Sequence, residues 1–175
     1  MGAVDIDHQT DGAPATRHLL ELGHRRIASY GGEASGVEHF RRRGFGYRQG
    51  MFAAGVPVHK SIHDGALLIG AVRARRVGAI FTETDLAAAA VVQSFARAGV
   101  GVPGDVSLVG FDDILGAGHI ASGLTTMYHP AAEMAAEGVY TLMRRFQGAP
   151  GSRMFLPPHL IVRRSTRTRS AALAP

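Results

Sequence analysis

The run Val106-Ser107-Leu108-Val109-Gly110-Phe111-Asp112-Asp113 constrains the fold of this chain more than any other segment. An apolar stretch of strand length ends in a glycine, an aromatic ring and two adjacent carboxylates. A strand in a parallel sheet covered on both sides is apolar on both faces, and polar groups return only where it leaves that cover. In open α/β sheets the carboxyl edge is where ligands bind. Asp112 and Asp113 therefore stand where a small polar molecule can be held. A strand ending in a solvated acidic turn is the plainer alternative. Just upstream, Val102-Pro103-Gly104-Asp105 reads as a turn, because Pro presets φ and Gly accepts φ > 0.

Around that run, helical and strand patterns alternate. Ala13 to Leu22 sets Leu19, Leu20 and Leu22 at helical spacing, and Gly23 follows as a left-handed terminator. Ile27 to Tyr30 is strand-like and closes on Gly31-Gly32. Residues 33–40 read as loop, and Arg41 to Ala54 as a helix ended by Gly55 with Pro57 beyond. Lys60 to His63 suggests a brief strand, Ala66 to Arg76 a helix, and Val77 to Thr82 another strand. An alanine-rich helix from Asp85 to Ala98 is closed by Gly99. Then come a glycine-rich stretch, a strand at Leu124 to Met127, an amphipathic helix from Ala131 to Phe146 and a last strand near Leu160 to Val162. From Ser165 onward a frayed tail is expected. Strands separated by long helices imply βαβ crossovers, hence an α/β fold with a doubly wound, mainly parallel sheet.

The 175 residues are 46% hydrophobic, enough for a packed core. There is no cysteine, which excludes a disulfide framework and a thiolate metal site and fits a reducing compartment. The longest apolar stretch, Leu86 to Val92, falls far short of the roughly 20 residues that span a bilayer. Asp5, Asp7 and Asp11 occupy the place where an export signal would be positive and then apolar. A cytoplasmic protein without membrane contact is expected. Only Lys60 among 19 basic residues is a lysine, and the arginines are scattered. The net charge of +5 is thus weak ground for direct DNA binding. His59 and His63 fall on strand and loop, and no His-Glu-x-x-His motif accompanies them. A Gly-x-Ser-x-Gly elbow and a phosphate loop are likewise absent. The reading is of no enzyme: no catalytic residue, no metal and no cofactor.

Five segments in order carry a resemblance. They are Leu19-Leu20-Glu21-Leu22-Gly23-His24-Arg25-Arg26-Ile27-Ala28, then Arg43-Gly44-Phe45-Gly46-Tyr47, then Ala79 to Asp85 leading to Val102 through Asp113, then Leu124-Thr125-Thr126, and finally Leu156 to Thr166. Together they resemble the effector-sensing domain of the lactose/galactose repressor (LacI/GalR) family, over nearly all of residues 4–167. The resemblance implies a type I periplasmic-binding-protein-like fold, with the second lobe complete and the first partial. Residues 1–25 would be a remnant of the first sensor lobe and 26–123 the second lobe. Residues 124–150 would be the crossover and a first-lobe helix, 151–167 a return strand to the second lobe, and 168–175 a tail. Asp7-His8 lies where the family has an Asp-Asn pair. A small-molecule effector, sugar or other polar metabolite, and a homodimer are the implied partners. DNA would be met only through a headpiece that this chain lacks. The helices at Ala13 to Leu22 and Ala131 to Phe146 would belong to the absent lobe. Their uncovered apolar faces would leave the chain weakly folded or dimeric.

The same resemblance assigns ligand roles. Arg43 matches the arginine of an Arg-x-x-Gly-aromatic motif completed by Gly46 and Tyr47, its planar fork suited to vicinal hydroxyls or a carboxylate. The alternative is a solvated helix start at Arg41 to Arg43. Asp112 matches an effector-contacting carboxylate beside Phe111, while Asp113 reads as a local cap. Thr84-Asp85 replaces the family's usual Asn-Asp, so Thr84 lacks an amide's bidentate reach and Asp85 reads as the N-cap of the next helix. His129 falls near a polar position lining the cleft, with simple exposure or packing as its alternative. Two rival readings are an exported solute-binding protein of the same fold and an enzyme on a doubly wound sheet.

Overall fold

Residues 3–6, 12–31, 37–59 and 61–169 are described by the computed structural model of the chain. Its centre is the predicted apolar run, which forms β4 (Ser107–Asp112) in the middle of a five-stranded sheet ordered β2-β3-β4-β5-β7. Here β2 is Ile27–Tyr30, β3 Ala79–Thr82, β5 Thr125–Tyr128 and β7 His159–Ile161. The first four strands run parallel, and β7 pairs antiparallel with β5 from Thr126–Ile161 to Tyr128–His159. A doubly wound, mainly parallel α/β fold is thus present.

Two apolar clusters explain why the strands lack a polar face. Ile80 and Leu108 pack with Leu68, Val72, Val91 and Phe95 from α3 (Gly65–Arg73) and α4 (Asp85–Arg97). On the opposite face Phe81, Val109 and Phe111 pack with Leu19, Tyr47 and Met51 from α1 (Gly12–Glu21) and α2 (Glu38–Ala53). Alternate residues of one strand therefore enter different cores, the arrangement that a strand apolar on both faces requires.

Several expected boundaries move. Helix α2 begins at Glu38 rather than Arg41, where Glu38 pairs with Arg41 and Arg42 across its first turn. The brief strand around Lys60 reduces to one parallel bridge between Ile62 and Tyr30. Arg153–Leu156 forms β6 and pairs in parallel with β1 (Ala3–Ile6) in a separate two-stranded sheet. Of the return segment, only β7 joins the larger sheet. The tail is not frayed at Ser165: that residue is buried, donating to Leu108 O at 2.6 Å and accepting from Thr125 N at 2.8 Å. Asp7-His8 lies outside the described residues.

The two helices expected to stand uncovered behave differently. Helix α1 is covered, because Gly12 and Gly46 let it meet α2 backbone to backbone. A Cβ on Gly46 would lie 2.8 Å from Gly12 N. Its apolar face then closes on the sheet through Leu19 and Leu20. Helix α5 (Ala131–Phe146) has no buried residue and exposes Val139, Tyr140, Leu142, Met143 and Phe146, while β6 exposes Met154 and Phe155. Apolar surface on that scale drives association. Size-exclusion chromatography is expected to show concentration-dependent self-association that Leu142→Glu reduces. Because Leu142 is exposed, the unfolding free energy of the monomer should change by less than about 0.5 kcal/mol. Among the described residues, no helix is long and apolar enough to cross a membrane.

Candidate functional site

The Ile62 bridge lies on the outer side of β2, whereas β3 lies on its inner side. The chain therefore reverses its direction of travel across the sheet between β2 and β3. Such a switch point leaves a crevice at the carboxyl ends of the strands, because the loops there diverge to opposite faces. Helix α2 starts beyond β2 on this edge and carries Arg43 across the crevice.

Arg43 is only 3% exposed. One terminal nitrogen donates to Glu83 O beyond β3 at 2.6 Å, and the other donates to Asp112 Oδ1 at the end of β4 at 2.9 Å. Its guanidinium lies 3.6 Å from the centre of the Phe111 ring. A cation held against an aromatic face and hydrogen-bonded to a carboxylate is fixed in position, as a recognition fork must be. The Arg-x-x-Gly-aromatic spacing has a structural cause. Gly46 makes the close contact with α1, and Tyr47 donates to Ile27 O at 2.8 Å, anchoring α2 to β2.

The predicted residues Arg43, Asp112, Phe111 and His129 come together. Asp112 is partly exposed at the crevice with φ at +109°, and Asp113 follows at +53°. Successive non-glycine residues in this region signal backbone strain, which folded proteins keep mainly at functional sites. His129 donates its amide to Asp112 O at 3.2 Å, and its Nδ1 lies 3.8 Å from Asp112 Oδ1. Phe111 is fully buried and reaches the crevice only as the platform beneath Arg43.

Thr84 stands in the same loop as Glu83 and does the work expected of Asp85. It has extended backbone geometry, and its hydroxyl accepts from Ala87 N at 3.0 Å, capping α4. Asp85 is instead buried, accepting from Thr126 Oγ1 at 2.6 Å and from Ile114 N at 2.9 Å. Burial pushes its carboxyl up to about 6, against the two donors and with help from Asp112 and Asp113. The cap expected at Asp113 is also replaced: its carboxylate pairs with Arg163 Nη1 at 2.7 Å. Two positions escaped the sequence reading. Glu83 supplies the carbonyl that holds Arg43, and Asp85 pins the loop that carries Asp112. For Glu83 the signal is a polar residue directly after a strand, the same signal that marked Asp112, and Asp85 follows two residues later as the first residue of α4.

Comparison with known proteins agrees with this architecture. Residues 16–166 match the model of the periplasmic binding protein-like domain. The HTH-type transcriptional regulator DegA of Bacillus subtilis is 37% identical over 95% of this chain and 52% of its own length. The structure of a CelR–cellobiose complex superposes with a TM-score of 0.78 at 33% identity, covering 95% of this chain and 54% of that one. A LacI-family regulator of Enterococcus faecium with bound ribose gives 0.84 at 24% identity, covering 97% and 67%, which speaks to the fold alone. The chain spans about half the length of the curated relatives it matches. It belongs to the periplasmic binding protein-like domain family, in the form that LacI-family transcription regulators carry.

Proposed function

We propose that this chain is the effector-sensing and dimer-forming portion of a LacI-type DNA-binding regulator that works in the cytoplasm. In this reading a sugar-like molecule sits in an interlobe cleft, with Arg43, Asp112 and His129 on one wall, Phe111 behind them and Thr84 at the rim. The observation that carries it is the convergence of Arg43 and Asp112 at the switch point of a sheet whose 33%-identical structural neighbour is a cellobiose complex. A planar fork and an adjacent carboxylate acceptor suit the paired donors and acceptors of vicinal hydroxyls. An effector then acts through its differential affinity for two lobe arrangements, and the response passes to an operator through a reader domain outside the chain.

The test is an NMR-monitored titration of the chain with cellobiose, ribose and a panel of related saccharides at millimolar concentration. The expected result is saturable binding by at least one of them, weakened at least tenfold by Arg43→Lys. Tenfold corresponds to about 1.4 kcal/mol, in keeping with the loss of one charge-assisted hydrogen bond. Equal affinity in the variant removes Arg43 from the site. Shifts confined to other faces of the sheet, or no saturable ligand in the panel, overturn the assignment.

A further inference from the structure

The edge of the sheet opposite the crevice holds a second recess, with a cavity volume of about 50 Å³. Five arginines, Arg25, Arg26, Arg75, Arg167 and Arg169, line it against a single carboxylate, Asp105. Strands of four to six residues separate it from Arg43 by roughly 15 Å, so it shares no residue with the proposed effector site. Among the described residues, Arg26, Arg75 and Arg167 have no carboxylate within ion-pair distance. Asp105 is already engaged, accepting from Gly101 N at 2.7 Å.

Two further features mark the recess as built rather than incidental. At the second position past each of α1, α2, α4 and α5 stands a glycine with positive φ: Gly23, Gly55, Gly99 and Gly148 at +87°, +64°, +68° and +85°. Helix α3 puts Arg75 there, at +56°. An L-residue bears a conformational cost at this position that glycine does not, so the guanidinium is placed against local preference. The second feature is His24, 95% buried, whose Nε2 lies 3.0 Å from Arg167 O. A carbonyl only accepts, so Nε2 carries the proton. Nδ1 is then buried beside Gly78, with no hydrogen-bond partner among the described residues. Burial, with the charges of Arg169 and Arg167, holds the imidazole below its usual range.

From this arrangement we infer that the recess is a second ligand site, taking the phosphate group of a small phosphorylated metabolite or of free inorganic phosphate. Guanidinium forks match phosphate oxygens in pairs, and the buried His24 ring stands beside them as a reporter of occupancy. The site is distinct from the effector crevice and does not depend on the reading given to that crevice.

The experiment titrates the chain with inorganic phosphate and, separately, with glycerol 3-phosphate, at constant ionic strength. Calorimetry and the His24 imidazole resonances provide the readouts. Saturable binding that moves the His24 signal and falls at least tenfold in Arg75→Gly is expected. That variant relieves the positive φ, so its melting temperature should hold or rise and unfolding cannot account for the loss. Arg145→Ala removes the same charge from α5 and should bind as the wild type does. Binding of inorganic phosphate alone assigns the site to the free anion, and binding of glycerol 3-phosphate, with or without it, admits phosphate esters. The inference fails if neither probe saturates, if Arg75→Gly and Arg145→Ala weaken binding equally, or if only a long polyanion such as duplex DNA binds.

Discussion

Replacing Asp112 with alanine is expected to destabilise the chain by about 3 kcal/mol and to abolish measurable effector binding. Arg43 is almost entirely excluded from water, and Asp112 accepts one of its hydrogen bonds at 2.9 Å. Breaking a buried ion pair costs about 3–5 kcal/mol, because the remaining charge keeps its desolvation penalty and loses its partner. Asp112 is itself a quarter exposed, which places the effect at the lower end. In a domain of this size that is a fall in melting temperature of roughly 6–12 °C. Two companion variants separate the causes. Asp112→Asn keeps an acceptor but no charge, and should lie between wild type and alanine. Asp112→Gly relieves the +109° φ and should recover about 1 kcal/mol relative to alanine. If all three melt with the wild type, Arg43 is neutralised elsewhere and the pair is not what holds the crevice in shape.

Much of this arrangement was legible along the chain, and the reason is local. Ile27–Tyr30 and Ala131–Phe146 form over the residues expected, because each carries its own periodicity and its own punctuation. The convergence of Arg43 with Asp112 followed from a motif resemblance together with the rule that ligands gather at strand carboxyl ends. The exchange of roles between Thr84 and Asp85 was not legible. Both residue types cap helices, and the choice between adjacent positions depends on which one keeps an extended backbone. Asp85 is drawn inward by Thr126 and Ile114, partners at β5 and beyond β4, and by Gly110, where any Cβ would overlap its carboxylate.

The pairing of β1 with β6 was hidden for a different reason. Ala3–Ile6 and Arg153–Leu156 are four residues each, and they meet across nearly the full length of the chain. No local period announces so short a partner. The cover over α1 was equally invisible, since an apolar helix face states that it will be buried but not against what. Its answer lies in Gly12 and Gly46, which read as poor helix residues in sequence and act as the contact between helices in space.

The stability of the chain is expected to fall by about 3 kcal/mol between pH 4 and pH 7 on account of Asp85 alone. Its carboxyl is raised from the ordinary 3.8 to about 6, chiefly by burial. Well below pH 3.8 the group is protonated in both folded and unfolded chains, and its favourable contribution is complete. Between pH 4 and 6 the unfolded chain releases its proton first, so the folded state binds more protons and loses stability as pH rises. Above 6 both forms are ionised and the loss is full, since each pKa unit is worth about 1.4 kcal/mol. His18 and His24 act in the opposite sense. Burial holds both below their usual range, so their contribution is lost as pH falls. Comparing wild type with Asp85→Asn by chemical denaturation cancels those histidines. The amide still accepts from Thr126 but leaves one of the two donors, Ile114 N–H, without its carboxylate, costing about 1–3 kcal/mol at every pH. The variant should therefore be the less stable at pH 4 and draw level near pH 7. A constant gap between the two curves would mean that Asp85 ionises as an exposed aspartate does. The same titration bears on the crevice, because Asp85 ties the Ile114 amide directly after Asp112 and Asp113. Ionisation at that tie strengthens the hydrogen bond that holds the acidic loop while adding a like charge beneath it. The wild type and Asp85→Asn should accordingly differ in how effector affinity changes between pH 5 and 7, the difference being the part that Asp85 carries.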